Sequence, residues 1–136
     1  MLDCLILGDS IAVGTHQFKQ QCVAIAQGGI NSQQYYDKFV KNRKNNFGAE
    51  VVIISLGSND WRGIKTYNEL YYLRDRVKAE RVYWVQPNPE KFPKQAEDVK
   101  LIALSFGDFI IKPTKYQADK VHPSWEGYKQ IANEAE

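Results

Sequence analysis

The chain has 136 residues, 43% of them hydrophobic, so it can bury one core without support from metals or disulfides. Its 18 Lys and Arg residues nearly balance 16 Asp and Glu residues, and the net charge of +2 is too small and too evenly spread to indicate a nucleic-acid partner. No segment approaches the roughly 18 consecutive apolar residues of a membrane span. We therefore predict a single domain, residues 1–136, without a membrane or nucleic-acid partner; composition leaves the oligomeric state open.

The five predicted strands are short apolar runs bounded by glycine, proline or polar residues. They are Leu2–Leu7, Val23–Ala26, Glu50–Gly57, Arg81–Gln86 and Asp108–Lys112. Helical patterns separate them. After a first helix that follows strand one, helices are predicted over Ser32–Lys44, from Thr66, over Lys94–Phe106 and from Ser124.

The helix that begins at Thr66 has the clearest start signal. Thr66 and Glu69 have the spacing of a capping box, and Leu70, Leu73 and Val77 form the apolar stripe that follows. Strands that alternate with helices predict a parallel sheet covered on both faces. We expect an α/β fold, a flavodoxin-like three-layer α/β/α sandwich whose five strands take the order 2-1-3-4-5. Functional sites in such sheets form at the carboxyl ends of the strands.

The two cysteines, Cys4 and Cys22, lie in apolar runs without a CxxC spacing or histidine-rich neighbours. This pattern predicts reduced thiols that act as small core residues. Because a strand is expected from the second residue onward, there is no room for a signal peptide, and we expect the chain in the cytoplasm.

Residues suited to nucleophilic catalysis follow four of these elements. They are Gly8-Asp9-Ser10, Gly28-Gly29, Gly57-Ser58-Asn59-Asp60 and Asp119-Lys120-Val121-His122. A serine at a strand-to-helix turn is exposed at the sheet edge, where the helix dipole favours negative charge. An aspartate three residues before a histidine can bind Nδ1 and leave Nε2 free to accept a proton from the serine. Glycine N–H groups and an asparagine amide can donate hydrogen bonds to an oxyanion.

Four blocks of the sequence, in their order along the chain, resemble the motifs of the SGNH hydrolase superfamily, the GDSL-like lipases and esterases. The blocks are ILGDSIAVG, GGINSQQ, VVIISLGSNDWRG and ADKVHPSWEGY. The resemblance spans nearly the whole chain and is greatest to the small bacterial thioesterase/lysophospholipase type. It implies that Ser10 is the nucleophile, that His122 is the general base and acid, and that Asp119 orients His122. It also implies an oxyanion hole formed by the N–H groups of Ser10 and Gly29 and the side chain of Asn59, with Gly28 as the alternative to Gly29.

The resemblance implies a serine esterase that cleaves small-molecule or carbohydrate esters, with short acyl or O-acetyl groups, through an acyl-enzyme and without a metal or organic cofactor. Thioesters and lysophospholipids remain open as substrates. The interval between Asp60 and Asp119 lacks the lid and specificity insertions of many members, which argues against long acyl chains. A non-catalytic carbohydrate-binding domain on the same fold is an alternative. A flavodoxin-like nucleotide binder is another, but no P-loop or GxGxxG follows strand one.

Several residues near these blocks have open roles. His16 is a rival general base, although no suitably spaced carboxylate follows it. Trp61 and Trp125 either pack in the core or form an aromatic wall for an acyl group or sugar ring. Gln86 and Asn88 end the fourth strand and either contact the substrate or are loop residues beside prolines. We expect Asp60 to brace its loop through main-chain hydrogen bonds.

Overall fold

One parallel sheet organises the chain, and the computed structural model describes all of residues 1–136. The strands are β1 (Leu2–Gly8), β2 (Val23–Ala26), β3 (Phe47–Ser55), β4 (Val77–Val85) and β5 (Phe109–Ile111). Neighbouring strands are hydrogen-bonded in the order β2-β1-β3-β4-β5, and every pair is parallel. The predicted α/β class and strand order are confirmed.

Helices cover both faces of the sheet. They are α1 (Ser10–Gln17), α2 (Ser32–Tyr35), α3 (Thr66–Arg74), α4 (Pro93–Phe106) and α5 (Trp125–Glu134). Residues of α1 and α5 join Ile6 and Ile53 in one core cluster, whereas residues of α2, α3 and α4 join Leu7 and Ile54 in the other. Adjacent strand residues point to opposite faces, so a strand buried on both sides must be apolar throughout. None of the helices combines the length and the hydrophobicity that crossing a membrane requires.

The second helical segment is shorter than predicted. Asn31 caps α2 with a complete capping box, and a π-helical turn, Tyr36–Val40, follows it. The prediction extended the helix to Lys44, but all residues from 41 to 46 are exposed. No apolar side chain in that stretch can pack on the sheet, so nothing stabilises a further helical turn.

Strands β3 and β4 begin earlier than the sequence indicates. Phe47 pairs with Val77 and Ala49 with Ala79, and all but Ala79 are buried. Val77 therefore belongs to β4, and its assignment to the stripe of the preceding helix is wrong. Its distance of four residues from Leu73 imitates helical periodicity, although α3 ends at Arg74.

Helix α3 begins at Thr66 as predicted, but a capping box does not form there. Lys65 is the N-cap residue and makes no side-chain capping bond. The Thr66 hydroxyl instead donates to Asp60 Oδ2 over 2.7 Å. The start of α3 is thus fixed by the loop that follows β3, because Thr66 and Asp60 are both buried.

The prediction of two reduced cysteines is wrong, because Cys4 and Cys22 form a disulfide. The register of the sheet explains the pairing. Leu5 lies opposite Val23 in the parallel β1–β2 pair, so the residues that precede them also lie side by side, with Cα atoms 4.8 Å apart. Disulfides are typical of oxidising compartments, so the cysteines give no support to the expected cytoplasmic location.

Candidate active site

Ser10 is the first residue of α1 and follows the end of β1 directly. The turn depends on Gly8, whose φ of 141° is unfavourable for other residues and where a Cβ would overlap the Ser55 carbonyl oxygen. Asp9 caps α1 by accepting a hydrogen bond from the Ile11 N–H. The Ser10 side chain is half-buried at the sheet edge, and its N–H has no acceptor within the chain.

Asp9 is completely buried, and its carboxyl group is only partly satisfied. Oδ1 accepts hydrogen bonds from the Ile11 N–H and the Ser55 hydroxyl over 3.0 and 3.1 Å. Oδ2 is buried and has no partner. Burial disfavours the charged carboxylate and raises the pKa of Asp9 to about 7. The carboxyl group therefore gains a proton within the neutral range.

His122 links Ser10 to Asp119 through both ring nitrogens. Ser10 Oγ lies 2.9 Å from His122 Nε2, and Asp119 Oδ2 lies 2.7 Å from Nδ1. An ionised carboxylate can only accept, so the pairing assigns the Nδ1 proton to the bond with Asp119 in the neutral ring. Nε2 is then free to accept the Ser10 hydroxyl proton. The structure thus brings together the three predicted catalytic side chains.

Asp119 also organises the turn in which it lies. Its Oδ1 accepts hydrogen bonds from the N–H groups of Val121 and His122 over 2.9 and 3.0 Å. These bonds and, above all, the bond with the His122 side chain lower the pKa of Asp119 to about 2. The side chains of Asp119 and His122 are 46% and 36% exposed. The carboxylate is therefore charged at neutral pH, and its exposure to water also favours the charged form.

The predicted oxyanion donors lie in two loops at the same edge of the sheet. Gly28 and Gly29 follow β2, and neither of their N–H groups has an acceptor in the chain. A Cβ at Gly28 would lie 3.9 Å from the Ser10 Cβ, so this loop is next to the serine. Asn59 is exposed and donates one bond from Nδ2 to the Ile30 carbonyl over 3.1 Å, which leaves its second amide hydrogen free.

A buried carboxylate holds the Asn59 loop. Asp60 Oδ1 accepts a hydrogen bond from the Ser32 N–H over 2.8 Å, and Oδ2 accepts the Thr66 hydroxyl over 2.7 Å. The Asp60 carbonyl accepts a third bond from the Gln95 side chain. Asp60 is 6% exposed and ties the loop to the starts of α2 and α3. Its bond to the Ser32 N–H is a main-chain contact of the predicted kind, whereas its bond to Thr66 is to a side chain.

A polar groove of about 500 Å³ begins at the two glycines. It is lined by Gln27, Gly28, Gly29, Ile30, Gln34, Asp37 and Lys38. Ile30 is the only hydrophobic residue in this lining. A ligand group in the groove would meet amides, main-chain groups and two opposite charges rather than an apolar wall.

The tryptophans near the site are exposed, which excludes core packing for both. Trp61 is 63% exposed and its ring lies over Gly63, where a Cβ would overlap it. Trp125 is 71% exposed and packs edge-on against Phe18 with ring centroids 5.2 Å apart. Their role as an aromatic wall stays a prediction.

Gln86 and Asn88 are buried, and their amides bind main-chain atoms. Gln86 Nε2 donates to the Ala96 carbonyl, and Asn88 Nδ2 donates to the Lys120 carbonyl over 3.1 and 2.8 Å. These bonds do not favour the predicted substrate contact, because each amide already donates a hydrogen bond to a main-chain carbonyl. Sequence reasoning missed the link from Asn88 to the turn of Asp119, since nothing in the sequence joins positions 32 residues apart.

The rival base His16 lies elsewhere. Its Nε2 donates to the Cys22 carbonyl over 2.9 Å, in the segment before β2. No carboxylate is hydrogen-bonded to its ring, whereas Asp119 binds His122. The geometry therefore favours His122 as the partner of Ser10.

The fold of this chain is similar to those of several solved proteins. A GDSL-like lipase from Bacteroides thetaiotaomicron has a TM-score of 0.71 and 15% identity, covering 97% of this chain and 84% of that chain. A member of the lipolytic protein G-D-S-L family from Veillonella parvula has a TM-score of 0.62 and 14% identity, and the match covers 99% of this chain and 96% of that chain. The C-terminal catalytic domain of peptidoglycan O-acetyltransferase A from Streptococcus pneumoniae has a TM-score of 0.60 and 17% identity, and the match covers 96% of this chain and 88% of that chain.

No family model matches the sequence, and no curated protein matches it. At identities of 14–17% the solved structures show the fold alone. That fold, shared with GDSL-like proteins, agrees with the α/β fold predicted from the alternation of strands and helices. The likeness extends over nearly the whole chain, so no large segment falls outside it.

Proposed function

We propose that this chain is a serine esterase of the SGNH hydrolase superfamily that cleaves carboxylic esters with short acyl groups, O-acetyl groups of carbohydrates among them. The observation that carries the proposal is the continuous hydrogen-bonded chain from Ser10 Oγ through His122 to Asp119, with distances of 2.9 and 2.7 Å. A serine hydroxyl is a weak nucleophile unless an adjacent base removes its proton. His122 is that base.

In the proposed reaction, Ser10 Oγ attacks the acyl carbon while His122 Nε2 takes the hydroxyl proton. The new imidazolium is stabilised by Asp119, whose lowered pKa keeps it negatively charged. The oxygen of the tetrahedral intermediate accepts hydrogen bonds from the N–H groups of Ser10 and Gly29 and from Asn59 Nδ2. His122 then returns the proton to the departing alcohol, which leaves an acyl group on Ser10.

Water completes the proposed cycle. His122 takes a proton from the water molecule that attacks the acyl-enzyme, and returning that proton to Ser10 restores the free hydroxyl. The exposure of His122 and Asp119 supports hydrolysis, because water has direct access to the base. The solved O-acetyltransferase domain has a similar fold. In acyl transfer an acceptor alcohol takes the place of water in this second step.

The polar groove beside Gly28 and Gly29 supports a small or hydrophilic substrate. Its lining has one hydrophobic residue, so a long acyl chain would lose contact with water without gaining apolar contacts. This disfavours lysophospholipids relative to acetylated sugars and short esters. A non-catalytic carbohydrate-binding domain would have no need for the aligned pairs of Ser10, His122 and Asp119.

The test is a series of p-nitrophenyl esters of increasing acyl length, together with O-acetylated sugars, assayed with wild type, Ser10→Ala and the control Ser105→Ala. Ser105 is an exposed serine whose hydroxyl binds the Leu101 carbonyl within α4. We expect activity to be highest on acetyl esters, absent in Ser10→Ala and retained in Ser105→Ala. Activity that survives in Ser10→Ala, or that is absent from wild type on every ester, would overturn the proposal.

A further inference from the structure

Two side chains that follow β4 hold the turn that carries Asp119 and His122. Asn88 Nδ2 donates to the Lys120 carbonyl over 2.8 Å, and Lys91 Nζ donates to the Asp119 carbonyl over 3.1 Å. Apart from Ser10, these are the only side chains from another part of the chain that hydrogen-bond to residues 117–122. The other hydrogen bonds of this turn lie within it or run to its immediate neighbour, Pro123.

Asn88 is itself fixed. Its side chain is buried, with 5% of the residue exposed, and its Oδ1 accepts a hydrogen bond from the Glu90 N–H over 3.1 Å. The opposite end of the same amide points to Lys120. A buried donor of this kind has few rotamers, so it defines one position for the carbonyl that it binds.

The main chain of the turn needs such support at Lys120. With φ at 61°, it is the only residue other than glycine with a positive φ. This left-handed conformation is unfavourable for a side chain with a Cβ and persists only where the surroundings enforce it. Residues 117–120 are all exposed, so packing does not enforce it. Hydrogen bonds within the turn constrain this conformation, and the bond from Asn88 adds a buried anchor on the Lys120 carbonyl itself.

We propose that Asn88, assisted by Lys91, is a positioning residue that holds the left-handed turn at Lys120 and thereby aims Asp119 at His122 Nδ1. The inference rests on the proposed function, because aiming the imidazole matters if His122 is the base for Ser10. Asn88 does not touch the substrate in this scheme. It acts through the main chain of the turn, while Lys91 adds a second, exposed contact.

Asn88→Ala should therefore lower kcat and leave KM nearly unchanged. A misplacement of about 1 Å in a catalytic group costs up to roughly 100-fold, so we expect a loss of roughly 10- to 100-fold in kcat. The matched control is Gln86→Ala, which also removes a buried amide at the end of β4 but breaks a bond to Ala96 instead. Thermal melting of both variants measures the stability that each truncation costs.

A second readout does not depend on any substrate. The Nδ1 proton of His122, shared with Asp119, should give a low-field proton NMR resonance in wild type and in Gln86→Ala. The resonance should be lost or broadened in Asn88→Ala. Because this signal reports the Asp119–His122 bond alone, it tests the positioning role even if the chain proves not to be an esterase.

The third arm is a rescue. Glycine adopts positive φ without steric cost, so Lys120→Gly in the Asn88→Ala background should restore part of kcat and the NMR resonance. Should Asn88→Ala fail to fold, Asn88→Asp replaces it, with Gln86→Glu as its control. The inference is overturned if the Asn88 variant keeps both the resonance and a kcat within twofold of wild type, or if the Gln86 control loses them equally.

Discussion

Asp60 and Asp119 are carboxylates at the same edge of the sheet, and the chain uses them in opposite ways. Asp60 is buried and binds the Ser32 N–H and the Thr66 hydroxyl, which belong to the starts of two helices. Asp119 is nearly half exposed and binds its own turn and His122. The buried carboxylate ties its loop to the starts of two helices, whereas the exposed one orders its own short turn and one imidazole.

This difference has an energetic consequence. Removing a buried acceptor leaves donors unsatisfied and costs folding stability. Removing an exposed acceptor lets water replace it, so the fold is little affected and the cost falls on the orientation of His122. Loss of Asp60 should thus appear mainly in stability, and loss of Asp119 mainly in rate.

Between the two carboxylates, the larger effect on turnover is expected from Asp119→Asn. An asparagine that donates toward Nδ1 favours the wrong imidazole tautomer, so turnover at neutral pH should fall roughly 10³- to 10⁴-fold. The melting temperature should stay at the wild-type value. A pH–rate profile on one activated ester and a thermal melt measure the two quantities. Because the pKa of Asp119 is about 2, its protonation should not shape the wild-type profile near neutral pH. A large loss of stability in Asp119→Asn, with turnover unchanged, would contradict the distinction drawn between Asp60 and Asp119.

The next effect is expected from Asn59→Ala. If Nδ2 donates to the oxyanion, turnover should fall roughly 100- to 1000-fold with little change in KM. The pH dependence should not move, because no titrating group is lost. The control is Asn68→Ala, which removes an exposed asparagine on α3. If Asn59→Ala stays within about twofold of wild type, or shifts the acidic limb of the profile, Asn59 is not an oxyanion donor.

Asp60→Ala, compared with Asp119→Ala, tests the stability side of the contrast. Loss of the Asp60 carboxylate leaves the Ser32 N–H and the Thr66 hydroxyl unsatisfied in the interior, at 2% and 1% exposure. We expect a decrease of about 3 kcal/mol in the free energy of unfolding, measured with urea. Asp119→Ala should show no measurable decrease. Equal losses in the two variants would contradict the distinction between them.

Asp9 adds a third case, a buried carboxyl group with one oxygen left without a partner. Burial raises its pKa from 3.8 to about 7, so the folded state holds this proton more tightly than the unfolded chain. Its contribution to stability is complete below pH 3.8 and is lost as the pH rises through about 7. Between pH 5 and 8, wild type should lose on the order of 2 kcal/mol that Asp9→Asn does not lose. Urea unfolding at both pH values measures the difference, and identical pH dependences would refute the assignment.

Much of the fold could be predicted because each strand is an apolar run and each break carries glycine or polar residues. The N-terminal ends of β3 and β4 could not be predicted. Phe47 follows a turn-like sequence, and Val77 continues a helix-like pattern. The disulfide was missed because the Cys4–Cys22 contact depends on sheet register. The proximity of Ser10, His122 and Asp119 could be predicted because short motifs at strand ends carry these residues.

The bracing contacts of the site were harder to predict, because they connect distant parts of the chain. Thr66 has the sequence signature of a helix cap, yet it binds Asp60 in another loop. Asn88 follows a strand end that faces the site, which suggested a substrate contact. Only the three-dimensional structure shows that its amide reaches the Lys120 carbonyl.

The most direct test of the central claim is to identify the residue that a fluorophosphonate probe modifies. The probe reacts with a serine that an adjacent base has activated. We predict one adduct per chain, located on Ser10 by peptide mass spectrometry, no adduct in Ser10→Ala, and slower labelling in Asp119→Asn. Labelling at another residue, or an unlabelled wild-type protein that is folded and hydrolyses esters, would contradict the account.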